Sequence, residues 1–219
     1  MLRRSHLPFL LPILLLTLAA GPATRPAATS PAPAKRVVIL LDATGSMMNR
    51  FDTVSREARK RVDMLAADQS FTLVAYSQDG THALHPTALL PATPANKRAA
   101  YDFLDHQAPH GAGGPAAAIA AAAAKLKPDE IWLYTDGDVN DWPAVFDEVA
   151  RWPARHPRVN TSLQVAAPEF QDPLILLARQ TGGACLDADY KPVPADRPVK
   201  FRPTRTPPAQ TPPAQKRRP

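Results

Sequence analysis

The sequence predicts an α/β domain: a doubly wound, mostly parallel central sheet with one antiparallel edge strand and helices on both faces. Three observations carry this expectation. Short apolar runs alternate with longer stretches of helical periodicity, the pattern that builds parallel sheets. Two of those runs, "RVVILLD" and "EIWLYTD", end abruptly on acids, Asp42 and Asp136. A third, "FTLVAYS", is followed by an Asp79-Gly80 turn, which predicts a single hairpin.

Taken in order, Val37–Leu41 is the first strand. A helical pattern follows from about Asn49 to Ala66, with Phe51, Val54, Ala58, Val62 and Leu65 on one face. Phe71–Ser77 is the second strand and Thr81–His85 the antiparallel edge. A helix is expected to start near Pro94. The glycine-rich "HGAGG" opens an alanine-rich helix with Pro115 in its first turn, where a missing N–H costs nothing. "DEIWLYTDG" is the next strand, Asp141 is expected to cap the helix "WPAVFDEVARW", and "VNTSLQVAA" alternates as a strand. "PEFQDPLILLARQTGG" reads as a last helix closed by Gly182-Gly183, before a final strand over Ala184–Leu186. Trp132, Trp142 and Trp152 read as packing residues. The one cysteine, Cys185, reads as a small buried hydrophobe.

The ends differ in composition. Arg3 and Arg4 precede an apolar run, Leu7–Ala20, and then small residues, the layout of a secretory signal peptide over residues 1–23. Cleavage is expected at Ala20, Gly21 or Ala23. An N-terminal membrane anchor is the alternative, but the run is shorter than the ~20 residues that spanning needs. Residues 24–34 form a Pro/Ala linker, 35–190 the folded domain, and 191–219 a disordered, basic, proline-rich tail with "TPPAQ" twice. The net charge of +6 belongs to these ends: the tail and the first arginines exceed it, leaving the remainder near −3. The pI is therefore no sign of specific nucleic-acid binding, although the tail could touch anionic surfaces. The chain is expected to be exported, either periplasmic or secreted, and its Ala/Pro/Arg-rich composition points to a bacterium.

The strand ends carry the chemistry. Ligands of such sheets sit at the carboxyl ends of the strands, where Asp42 and Asp136 fall. Two neighbouring carboxylates repel unless a cation or proton intervenes. Thr44 and Ser46 add neutral oxygens from a tight loop that Gly45 allows to turn. An all-oxygen set suits Mg²⁺ or Mn²⁺. The competing reading is a relic in which Asp42 and the hydroxyls only cap the first helix. Asp138 and Asp141 are expected on the rim, in contact with a partner.

At these residues the sequence resembles the von Willebrand factor type A domain, over roughly Lys35–Tyr190. "DATGS" fits the D-x-T-G-S form of that family's metal-ion-dependent adhesion site, and "LYTDG" matches its later strand-ending acid. The resemblance implies a protein-binding module whose cation, held by Asp42, Thr44, Ser46 and Asp136, engages a partner's acidic side chain. It also marks one departure: where the family places a threonine in a Gly-Gly-Thr turn, this chain has Pro115.

Enzyme motifs are incomplete. A haloacid-dehalogenase-type nucleophile needs a second acid at position 44, which is threonine. "TGSMM" lacks the second glycine of a serine elbow, the six histidines lack zinc spacing, and "GAGGP" is no phosphate loop. The expectation is therefore a binding module and not an enzyme. A metal-free scaffold of the same fold, for envelope assembly, is the second reading, and a hydrolase of unrecognised type the third.

Overall fold

The computed structural model describes residues 35–203. The segment expected to be a signal peptide, the expected linker up to Ala34 and the tail beyond 203 lie outside the described residues.

Seven strands and five helices follow one another as β1 (Arg36–Asp42), α1 (Phe51–Asp63), β2 (Ser70–Ser77), β3 (Gly80–Ala83), β4 (Leu90–Pro91), α2 (Pro94–Asp105), α3 (Pro115–Ala121), β5 (Glu130–Tyr134), α4 (Trp142–Ala150), β6 (Arg158–Ser162), α5 (Gln171–Gln180) and β7 (Cys185–Leu186). The sheet order is β3-β2-β1-β5-β6-β7. β1, β2, β5, β6 and β7 are parallel, while β3 and the two-residue β4 both run antiparallel to β2. The edge strand was legible from Asp79-Gly80; β4 was not, because two residues carry no periodicity.

Alternation along the strands divides the core in two. Val38 and Leu40 of β1 join Val74, Tyr76, Ile131, Leu133 and Val159 beneath α3, α4 and α5. Val37, Ile39 and Leu41 join Phe71, Leu73, Ala75, Trp132 and Tyr134 beneath α1 and α2. A strand covered on both faces must be apolar at every position, which is why β1 reads as an unbroken run. Its register against β2 pairs Asp42 with Tyr76. Against β5 it pairs Leu41 with Tyr134, so the chain leaves β5 beside Asp42.

Several bounds differ from expectation: α1 is shorter at both ends, and β3 starts at Gly80 and stops at Ala83. β6 stops at Ser162 because its partner β7 is two residues long; the Leu163 amide makes the last bond, to the Leu186 carbonyl. The alanine-rich helix passes into a π turn over Ala122–Leu126 and closes on Lys127, whose φ is +45°. The domain also extends past Tyr190. Val193, Val199 and Phe201 pack against the α5-side core, and the amides of Lys200 and Phe201 donate to Asp172. Residues 191–203 are thus held by apolar side chains spaced among prolines, too sparsely for a sequence pattern to show. Cys185 is buried, as expected.

The turn from α5 into β7 has no room for a side chain. A Cβ on Gly183 would lie 2.1 Å from the Val159 carbonyl oxygen, which is backbone and cannot retreat. Gly183→Ala should therefore lower stability by about 1–3 kcal/mol in denaturant melts, the usual cost of overpacking. An unchanged midpoint would show that β6 and this turn are not held together as described.

Candidate functional site

At the carboxyl end of β1, Asp42 has no solvent exposure. A carboxylate there must be met by donors, and three supply them. The Thr44 amide and hydroxyl donate to Oδ1 at 2.9 and 2.6 Å, and the Thr135 hydroxyl to Oδ2 at 2.6 Å. Thr135 is held in turn by the Gly137 amide at 3.1 Å. The expectation that Asp42 and the hydroxyls cap the first helix is not met: Thr44 makes no side-chain cap for the 3₁₀ turn Gly45–Met47, and α1 begins after Arg50 with no side-chain cap at all.

With its proton committed to Asp42, Thr44 Oγ1 can only accept, and it lies 3.2 Å from the exposed Ser46 hydroxyl. Asp136 is buried to 1% exposure. Its Oδ1 accepts the Asp138 amide at 3.1 Å and its Oδ2 the Arg50 guanidinium at 3.2 Å. Burial raises the Asp136 pKa above the ordinary carboxylate range and Asp42 adds to the rise, while the Asp138 amide, Ser46 and Arg50 oppose it. Asp42, Thr44, Ser46 and Asp136 are thus one neighbourhood. Arg50 and Thr135, which sequence reasoning passed over, belong to it too.

The glycine-rich loop before α3 closes the site's other side. The Gly45 amide donates to the Gly111 carbonyl at 2.8 Å, and the His110 amide to the Ala43 carbonyl at 2.9 Å. Gly45 has an ordinary negative φ, so close approach and not a turn explains it: a Cβ there would sit 3.1 Å from the Gly111 oxygen. A Cβ on Gly113 would meet Thr44, and one on Gly114 would fall within 2.1 Å of the Asp141 carboxyl carbon. Pro115 follows, buried at the first position of α3.

Asp141 is half-buried and stands at the N-cap position of α4, but its side chain makes no cap there. Its Oδ2 accepts the Ala116 amide at 3.1 Å, so it caps α3 across the loop, while its Oδ1 is buried without a partner. Burial raises its pKa. The Tyr76 hydroxyl is buried too, and burial first and the Asp42 charge second push its pKa well above the ordinary tyrosine value. Asp138 is exposed, next in the chain but one to Asp136, whose Oδ1 its amide holds.

An all-oxygen set of two carboxylates and two hydroxyls, one hydroxyl proton already anchored, fits a hard divalent cation that retains waters. Among the described residues no three His, Cys, Asp or Glu side chains are arranged to hold a metal, so the charge on offer is small.

Beside Ala43 lies a cleft of about 600 Å³ lined in part by Ser77, Asp79, His82, His106 and His110. Ser77 and Asp79 both approach the same His110 nitrogen, Nε2, at 3.5 and 2.8 Å, and Nδ1 faces the Ala108 carbonyl at 2.8 Å. A proton relay needs the acid and the serine on opposite nitrogens. This trio is a loop clamp.

No protein-family model matches the chain. A human voltage-dependent calcium channel subunit, alpha-2/delta-3, is 30% identical over 167 residues, which span 69% of this chain and 15% of that protein. A von Willebrand factor type A protein from Catenulispora acidiphila superposes with a TM-score of 0.57 at 19% identity, over 70% of this chain and 38% of that one. Manganese-loaded TRAP protein from Plasmodium vivax superposes with a TM-score of 0.52 at 16% identity, over 70% of this chain and 68% of that one. The chain spans only a small part of the curated relative it matches. The fold these comparisons share is that of the von Willebrand factor type A domain.

The clamp has a measurable signature. The Ala108 carbonyl first and Asp79 second raise the His110 pKa above 6.5. A histidine raised in the folded state stabilises fully below its unfolded pKa and loses that contribution as pH rises through the folded value. NMR titration should place His110 above the ordinary histidine range, and Asp79→Asn should bring its midpoint down. An unmoved midpoint in the variant would remove Asp79 from the clamp.

Proposed function

We propose that this chain, whose described domain has the von Willebrand factor type A fold, is an exported protein-binding module. It engages a partner's carboxylate through a divalent cation, Mg²⁺ or Mn²⁺, held by Asp42, Thr44, Ser46 and Asp136. The observation that carries this reading is the Thr44 hydroxyl, donating to buried Asp42 at 2.6 Å while standing 3.2 Å from exposed Ser46. That arrangement turns the Thr44 proton inward, so its oxygen can only accept on the side where Ser46 stands.

The cation, when bound, supplies positive charge and an open coordination position for the partner's acid. The chain's own residues do the rest. Asp42 and Thr135 fix the loop and its hydroxyl orientation. Ser46 is the ligand nearest solvent. Exposed Asp138 borders the site, and Met48, 67% exposed, offers apolar surface beside it. The cleft lined by the Gln78–Pro86 segment adds a second surface for reading a partner. Export rests on the arrangement of residues 1–23; no described helix is long and apolar enough to cross a membrane.

Two observations favour the second reading, a metal-free scaffold for envelope assembly. Arg50 already pairs with Asp136, and Pro115 offers no oxygen from its side chain.

Thermal melts in chelator, Mg²⁺ and Mn²⁺ separate the two. At a concentration a hundredfold above its dissociation constant, a cation should add about 2.7 kcal/mol, a shift of roughly several degrees for a domain of this size. The shift should vanish in Asp42→Ala and shrink in Ser46→Ala, where the side chain is exposed and the fold has little to lose. No shift in the parent up to millimolar metal would leave the metal-free scaffold as the account.

A further inference from the structure

The two buried acids at the strand ends need a counter-charge, and the chain carries one on the same loop as its candidate ligands. Arg50 ends the segment that begins with Asp42, its amide fixed by the Met47 carbonyl at 2.8 Å just before α1. Its guanidinium reaches back to Asp136 Oδ2 at 3.2 Å. Among the described residues, no other lysine or arginine forms an ion pair with Asp42 or Asp136.

The pairing is lopsided in a way that suits exchange. Asp136 is 1% exposed and the Arg50 side chain 42% exposed. Arg50 makes one contact with the carboxylate and not the two-bonded fork that holds arginine most firmly. It can return to solvent and be rehydrated; Asp136 cannot, and must always have a partner. Arg50 also changes the charge that a cation meets. Asp42 and Asp136 together offer −2, and with Arg50 in place the set offers −1. A divalent cation entering beside the guanidinium gains less attraction and meets a like charge.

We infer that Arg50 is a tethered counter-cation: it holds Asp136 when no divalent cation is bound, is displaced when one binds, and so sets how much cation the site requires. This rests on the metal-binding reading above. It differs from a purely supporting role, in which removing Arg50 would disorder the loop and weaken cation binding. Under competition, removing it exposes the acid, costs stability without metal, and strengthens cation binding.

The test uses the full chain with Arg50→Gln and Arg50→Lys. Melts are recorded in chelator and across a Mn²⁺ series, and loss of the free Mn²⁺ paramagnetic resonance signal gives binding directly. In chelator, Arg50→Gln should melt below the parent. Its half-saturating Mn²⁺ concentration should be roughly tenfold lower than the parent's, an ordinary size for coupled binding. Arg50→Lys keeps the charge and should stay near the parent. A silent parent beside a responsive Arg50→Gln would show Arg50 holding the site closed to the cation, and would overturn its displacement in the parent chain. If the parent binds Mn²⁺ and Arg50→Gln binds it equally or more weakly, the competition is wrong while the metal site stands. If neither binds, the metal reading itself fails, and the competition with it.

Discussion

The site depends on a carboxylate sealed from water at the end of the central strand. Asp42 is the last residue of a strand flanked on both sides and covered on both faces, so its charge has no solvent to turn to. The three hydrogen bonds from Thr44 and Thr135 answer that need. Their consequence reaches beyond satisfaction of one group. They fix the loop after β1 to the loop after β5 and decide which way the Thr44 proton points. Because β1 and β5 are register-locked neighbours, Thr135 arrives beside Asp42 without any long excursion of the chain.

Around that fixed centre the remaining charges are arranged by burial. Asp136 is nearly as enclosed as Asp42, but its partners are an amide and a half-exposed guanidinium, so it is the replaceable side of the site. Asp141 turns away, to the Ala116 amide of α3, and Gly114 before Pro115 leaves the space its carboxylate occupies. The result is a rigid face and an exchangeable one: Asp42 with Thr44 and Thr135 on one side, Asp136 with Arg50 on the other. That division is what allows a cation, a guanidinium, or each in turn, to serve the same pair of acids.

The sequence made the local part of this legible. Asp42, Thr44 and Ser46 lie within five positions and belong to one loop, and Asp136 announces itself as a second apolar strand ending on an acid. The strands were visible because doubly covered strands are apolar throughout, and the helices because each packs one face. What the sequence hid was long-range or side-chain directional. Thr135 looks like one more strand residue until register brings it against Asp42. Arg50 looks like a polar residue at a helix start until its guanidinium is seen to reach Asp136. Asp141 stands where a cap for α4 belongs, yet caps α3, since the loop glycines bring that helix end closer. Residues 191–203 looked like tail because prolines dominate them, although Val193, Val199 and Phe201 are enough to hold them to the α5 side.

The most direct test of the central claim is anomalous diffraction at the manganese edge, from crystals of the domain grown with Mn²⁺. The account predicts one strong peak at about 2 Å from the Thr44 and Ser46 hydroxyl oxygens, a distance usual for a small octahedral cation. The peak should lie between Asp42 and Asp136, with the Arg50 guanidinium drawn away from Asp136. Well-ordered crystals with no peak there, and with Arg50 still on Asp136, would contradict it.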